Sequence, residues 1–269
     1  MNAPESSLPP EPAAQPDPAP RPLFDLPAIH EVDALRGFAW LKRGASDFAA
    51  HPGASLFYGS CFAGMGVLLL AAFRFAIDYT STLAMGFMLV GPVFAIGLYD
   101  LSRQRETGKV SLVRSFTAWR RNPGGIGIYV LILTIAFLVW ARASMVTFAL
   151  FEAGALPTWS AFFVQLAAMK NVAFVGAFFG VGLFFATLVF VLSAISIPFL
   201  FDRKADAVTA AAASVTAIFK NPAAMAVWAA LIVLLIGFGL ATLYIGLVVT
   251  GPLIGHATWH AYRDLTQGG

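Results

Sequence analysis

Between Ala223 and Tyr262 the chain runs for forty residues without a single Lys, Arg, Asp or Glu. A helix that crosses a bilayer needs about 20 apolar residues at ~1.5 Å of rise each, so this run is long enough to cross twice. Gly237, Gly239 and Thr242 near its middle predict a tight hairpin between the two passes. The rest of the chain has the same character: 59% of its residues are hydrophobic and 12% charged, against roughly 25% charged in soluble domains. A soluble globular fold is excluded, and the expected class is an all-α, polytopic membrane bundle.

Six candidate spans emerge, at 53–73, 82–101, 124–141, 172–200, 223–239 and 243–262. With six spans, fourteen of the seventeen Lys and Arg residues fall on the side of the N-terminus, and Arg74, Arg142 and Lys170 fall on the other. The positive-inside rule then predicts cytoplasmic N- and C-termini. Arg142 comes after about 18 residues of its span, roughly 27 Å of helix, and is expected to snorkel at the outer interface beside Trp140.

Nine of the sixteen prolines lie within residues 4–27. Such a segment favours extended conformations and cannot bury enough apolar surface to offset its ordering entropy. Residues 1–30 are therefore expected to form a disordered cytoplasmic tail ahead of a membrane domain at 31–269. The tail lacks the basic start and short apolar core of a secretory signal, so the first span is expected to direct insertion.

Three other prolines mark a repeat. The segments LKRGASDFAAHPGASLFYG (41–59), LVRSFTAWRRNPGGIGIYV (112–130) and AAASVTAIFKNPAAMAVWA (211–229) align on Pro52, Pro123 and Pro222. Four residues before the proline stand Phe48, Trp119 and Ile218; seven before, Ala45, Phe116 and Val215; eleven before, Leu41, Leu112 and Ala211. That spacing is one apolar helical stripe. Six residues after it stand Tyr58, Tyr129 and Trp228.

At the junction, His51, Asn122 or Asn221 precedes the proline. Asn is a good N-cap, and proline suits the first helical position, where a missing N–H costs nothing. The predicted unit is an interfacial amphipathic helix, a capped span and a returning span with a proline kink at Pro92, Pro198 or Pro252. The three units, at about 31–107, 108–205 and 206–269, are parallel and related about an axis along the membrane normal. The middle unit carries extra material at 143–171, whose PTWSAFFVQLAAMK suggests an external amphipathic or re-entrant helix. Gly176–Gly180 and Gly251–Gly255 each make a GxxxG suited to close helix contact.

Chemistry is sparse. No span has an acidic or basic residue near its centre, which argues against ion-coupled transport. Asp47 with Lys42 or Arg43, and Asp100 with Arg103, read as ordinary exposed pairs near the headgroups. His256 and His260 lie on one face of the last helix, with His51 on the same side of the membrane, and together they are the candidates for a metal or haem site. The alternative is three structural histidines, His51 replacing a capping Asn. HExxH, GxSxG and phosphate-loop motifs do not occur. A single cysteine, Cys61, excludes a disulfide framework, and the basic residues flank spans instead of forming a nucleic-acid face. No catalytic residue and no cofactor is therefore assigned.

At HPGASLFYG, AWRRNPGG and especially GPLIGHATWHAYRDL, the sequence resembles an uncharacterised family of bacterial integral membrane proteins, a domain of unknown function of the DUF2189 type, over roughly residues 33–265. The resemblance implies an inner-membrane location and assigns no activity. The repeat plan is similar in architecture to that of mitochondrial carriers, whose acidic-basic signature after the proline is absent here. The expected function is a non-enzymatic scaffold or assembly protein that binds a membrane partner or a second copy. A channel for a small neutral solute, and metal or haem binding, are the alternatives.

Overall fold

The computed structural model describes residues 26–75, 80–151 and 172–267. Most of the proline-rich tail, Pro157, Lys170 and the PTWSAFFVQLAAMK segment lie outside the described residues.

Helices account for nearly all of the rest, with no strand among the described residues: α1 (Arg36–Ala50), α2 (Pro52–Phe75), α3 (Thr80–Thr107), α4 (Leu112–Ser115), a 3₁₀ turn (Ala118–Arg121), α5 (Pro123–Phe151), α6 (Val172–Ser193), α7 (Ser196–Asp202), α8 (Ala207–Lys220), α9 (Pro222–Ala241) and α10 (Leu247–Gln267). Four helical stretches are long and apolar enough to cross a membrane: α2, α5, Val172–Asp202 and α9. Helices α3 and α10 are also long, but both carry charged and polar side chains through their second halves.

The three prolines that align in the sequence each begin a long helix, α2, α5 and α9. The amphipathic segments ahead of them pack on the bundle through an unexpected face. In α1 the buried residues are Gly37, Trp40, Gly44 and Asp47; in α8 they include Ala207, Ala210, Ser214 and Ala217. Counted back from Pro52 and Pro222 these are the same register positions, and the apolar stripe through Leu41, Ala45 and Phe48 lies beside them, half-buried or exposed. Small side chains let helix backbones approach closely, which large apolar ones prevent. A Cβ on Gly44, for example, would stand 2.8 Å from the backbone N of Ala257. The corresponding middle segment is no continuous helix. It breaks into α4 and the 3₁₀ turn, where Thr117 turns its hydroxyl back onto the carbonyl of Arg114.

The close approach continues along α2, where a Cβ on Gly59 would lie 1.9 Å from the carbonyl oxygen of Val248 on α10. The α9–α10 hairpin exists, but α9 runs straight through Gly237 and Gly239. The reversal falls at Leu243 (φ 54°) and Tyr244 (φ 68°), both in the left-handed region. Gly239 is taken up by packing instead, since a Cβ there would meet Leu247 at 2.4 Å. The Tyr244 ring in turn sits against Gly66 of α2.

Two further differences concern element lengths. The insertion expected at 143–171 begins as an uninterrupted continuation of α5 to Phe151. Arg142 is therefore an exposed mid-helix residue with nine more helical residues beyond it. The tail expected to end at residue 30 is held from Ile29 onward. Ile29 is buried, the His30 N–H donates to the Leu265 carbonyl (2.8 Å), and Lys220 donates to the Ile29 carbonyl (2.7 Å).

The core lies at the end of the bundle where α3, α7 and α10 meet. Phe199 meets Tyr262 and Phe201 meets Trp259 edge to face there, Trp259 and Tyr262 lie tilted against each other, and Trp40 of α1 meets Trp228 of α9 at 5.6 Å and 89°.

Candidate functional site

The buried face of α1 delivers Asp47 against the second halves of α3 and α10, and these three helices enclose a polar cluster. Asp47 is 5% exposed. It accepts from Arg105 of α3, whose other terminal nitrogen reaches Ser46 (3.1 Å), and from His260 Nε2 of α10 (2.8 Å). Burial alone would raise the Asp47 carboxyl, but the hydrogen bonds of His260, Ser102 and Arg105 outweigh it and hold the group below the usual carboxylate range.

Behind Asp47, Ser102 of α3 bonds His256 Nδ1 (2.7 Å), and His256 Nε2 bonds Ser55 of α2 (3.0 Å). Ser55, His256 and Ser102 are all buried. About two turns further along α10, Asp264 accepts from Arg36 Nε (2.7 Å), Trp40 Nε1 (2.9 Å) and Arg43 Nη1 (2.6 Å), which clasps α1 to α10. These bonds likewise outweigh burial and lower the Asp264 carboxyl.

Around the junction of α3, α7 and α10 the pairing is again between helices. Glu106 accepts from Trp259 Nε1 (2.9 Å) and faces Arg263 (3.3 Å); Tyr262 donates to Asp202 (2.8 Å), which also faces Arg103 (3.7 Å). Between α1, α3 and α10 a cavity of about 310 Å³ opens, lined by Arg43, Ser46, Asp47, Ser102, Arg105, Glu106 and His260.

The exposed pairs expected from the sequence are therefore corrected. Asp47 pairs with neither Lys42 nor Arg43; Arg43 goes to Asp264 and Arg103 to Asp202, while buried Asp100 accepts from Gln104. Asp264, Asp202 and Glu106 are residues the sequence did not single out, and Asp47 it placed only in an exposed pair. A signal for Asp47 was present in its spacing from Gly37, Trp40 and Gly44, which puts it on the face of its helix that carries both glycines.

The candidate metal ligands are placed as follows. Both ring nitrogens of His256 are taken by serine hydroxyls, His260 bonds the Asp47 carboxylate, and His51 ends α1 with its backbone N–H on the carbonyls of Asp47 and Phe48. Among the described residues no group of three or more His, Cys, Asp or Glu side chains is placed to hold a metal ion.

The junction residues also diverge. Asn122 accepts from the Gly125 N–H (3.1 Å), as a capping residue does, and its amide donates to the carbonyls of Leu200 (3.1 Å) and Ala205 (2.8 Å) ahead of α8. Asn221 does not cap α9 with its side chain. Its carbonyl accepts from the Val32 N–H (2.8 Å) and its amide donates to the His30 carbonyl (3.0 Å), a two-point grip on the extended segment ahead of α1. Satisfying that half-buried backbone is the competing demand that draws the side chain away.

Neither a curated protein nor a solved structure matches the chain. Residues 80–202, from α3 through α7, match the profile of one family. That segment supplies Ser102, Arg105, Glu106 and Asp202 to the cluster, while Asp47, His256, His260 and Asp264 come from outside it. The family whose model residues 80–202 match is described as predicted integral membrane protein (DUF2189).

Proposed function

We propose that the chain is a six-span, non-enzymatic protein of the bacterial inner membrane that serves as a scaffold for a membrane partner or a second copy. In this reading α3 and α10 complete the six spans and both termini are cytoplasmic. The units 31–107, 108–205 and 206–269 close a ring around a pseudo-threefold axis.

The junction asparagines support the ring. Asn221 of the third unit grips the lead-in of the first, and Asn122 ties down the end of its own unit at Ala205, where the third begins. The last helices of the units, α3, α7 and α10, touch one another at the centre. Phe199, Phe201, Trp259 and Tyr262 are packed where α7 and α10 meet, and in this reading they fill the axis and leave no solute path there.

The observation that carries the scaffold reading is the contrast between satisfied charges and uncovered apolar surface. The carboxylates of the polar cluster are paired within the chain. Along Val172–Asp202, by contrast, none of the most apolar window is buried within the protein. Among the described residues, nothing approaches within 4 Å of where a Cβ would stand on Gly176, Gly180 or Gly182.

A photo-crosslinking amino acid at Phe179, activated in native membranes and followed by mass spectrometry, tests the proposal. One reproducible protein adduct is expected; adducts scattered over lipid and unrelated proteins would sink it. A periplasm-active reporter fused after Gly108 is expected to stay silent, and activity there would overturn the orientation.

A further inference from the structure

The cavity between α1, α3 and α10 lies where the first unit departs from the other two. Five residues before the aligned proline, the second and third units place buried alanines, Ala118 and Ala217, whereas the first places buried Asp47. A buried carboxylate in place of a core alanine is costly unless fully paired. Its pairing is what draws Arg105 and His260 to the cavity wall.

The hydrogen-bonding capacity left over is one-sided. Both Asp47 oxygens are taken, by Arg105 and His260, and both Glu106 oxygens face Trp259 and Arg263. The guanidinium groups have donors to spare. Arg43 commits Nη1 to Asp264 and Arg105 commits its two terminal nitrogens to Asp47 and Ser46, while each guanidinium carries further N–H groups. Their side chains remain 43% and 38% exposed. In the lining itself Arg43 and Arg105 stand against Asp47 and Glu106, so the formal charges balance, and what sets the cavity apart is its spare guanidinium N–H groups.

A concave site whose carboxylate oxygens each already have a donor and whose guanidinium groups carry spare N–H groups matches an acceptor-only anion. Its volume of about 310 Å³ is ample for a phosphate together with the first atoms of whatever carries it. We propose that this cavity binds a phosphate group, held by Arg43 and Arg105 with Ser46. The two sources of that chemistry are free phosphate and an anionic lipid headgroup, whose basic sites lie between helices at the membrane surface. The inference rests on the cavity alone and is independent of the scaffold reading.

The test uses the full chain. In uncharged detergent, thermal unfolding is followed against inorganic phosphate, with chloride at equal ionic strength as reference. In a second arm it is followed in nanodiscs of phosphatidylcholine with and without phosphatidic acid. A saturable rise of Tm with inorganic phosphate assigns the site to free phosphate; a rise confined to phosphatidic acid assigns it to a headgroup.

In either arm, Ser46→Glu, which sets a competing carboxylate beside Arg105 at an exposed position, is expected to weaken the response about tenfold or more. Arg43→Gln is expected to do the same, and Lys109→Gln, outside the cavity, to leave it unchanged. Equal Tm in phosphate and chloride together with equal Tm in both nanodiscs, or a rise that Ser46→Glu leaves intact, overturns the proposal.

Discussion

Asp264→Ala isolates what the α1–α10 clasp contributes. The substitution removes an acceptor that is 3% exposed and receives three donors. The indole of Trp40 is fully buried, so its N–H is left without a partner, at a cost of about 1–3 kcal/mol. The two arginines differ, because their side chains are 33% and 43% exposed. They can rehydrate, so each contributes about 0–1 kcal/mol, closer to a surface pair than a buried one. The sum is about 3 kcal/mol, dominated by the neutral indole and not by the charges. At about 2–4 °C per kcal/mol for a chain of this size, Tm should fall by roughly 6–12 °C in detergent or nanodiscs. Asp264→Asn keeps an acceptor for the indole and should lose less than half of this. A double-mutant cycle with Trp40→Phe should show strong coupling, since the phenyl ring has no N–H to strand. An Asp264→Ala Tm within about 1 °C of the parent, or full additivity with Trp40→Phe, would refute the reasoning.

Three further outcomes follow from the packing and the electrostatics. Gly59→Val should destabilise by about 2 kcal/mol or more, because its Cβ would meet backbone that no rotamer change can move, whereas Gly53→Ala, with nothing within 4 Å, should be nearly silent in the same unfolding assay. Leu243→Gly should stabilise by about 0.5–1 kcal/mol by relieving a left-handed φ at an exposed side chain; Tyr244→Gly should destabilise, because its ring packs on Gly66. Asp47 and Asp264 both have folded pKa values lowered from 3.8, so the stability they add is present above that value and is lost as pH falls below it through the lowered ones. A Tm profile from pH 7 to pH 3 should turn down below about pH 4, and Asp47→Asn should flatten the fall; a flat parent profile would count against both ion pairs.

Much of this protein is legible locally. A forty-residue run without charge, prolines at the first positions of α2, α5 and α9, and membrane-length apolar stretches are properties of consecutive residues, and backbone satisfaction in an apolar medium turns them into helices with little help from elsewhere. The sequence determined the all-helical class, most of the span positions and the junctions that start them. It did not determine which face of α1 is buried. Apolar spacing singles out Leu41, Ala45 and Phe48, while the bundle selects Gly37, Trp40, Gly44 and Asp47, because the two glycines let α1 close on α9 and α10 and the Trp40 indole and Asp47 carboxylate find partners there. The site rests on that choice. Asp47 meets His260 and Asp264 meets Arg36 across more than two hundred residues of chain, and Asn221 leaves its cap to hold the backbone at His30 and Val32. Those pairings exist only once α1, α3 and α10 are packed, because a buried charge or backbone group takes whatever partner the fold brings within reach, and sequence neighbours such as Lys42 stay solvated at the surface.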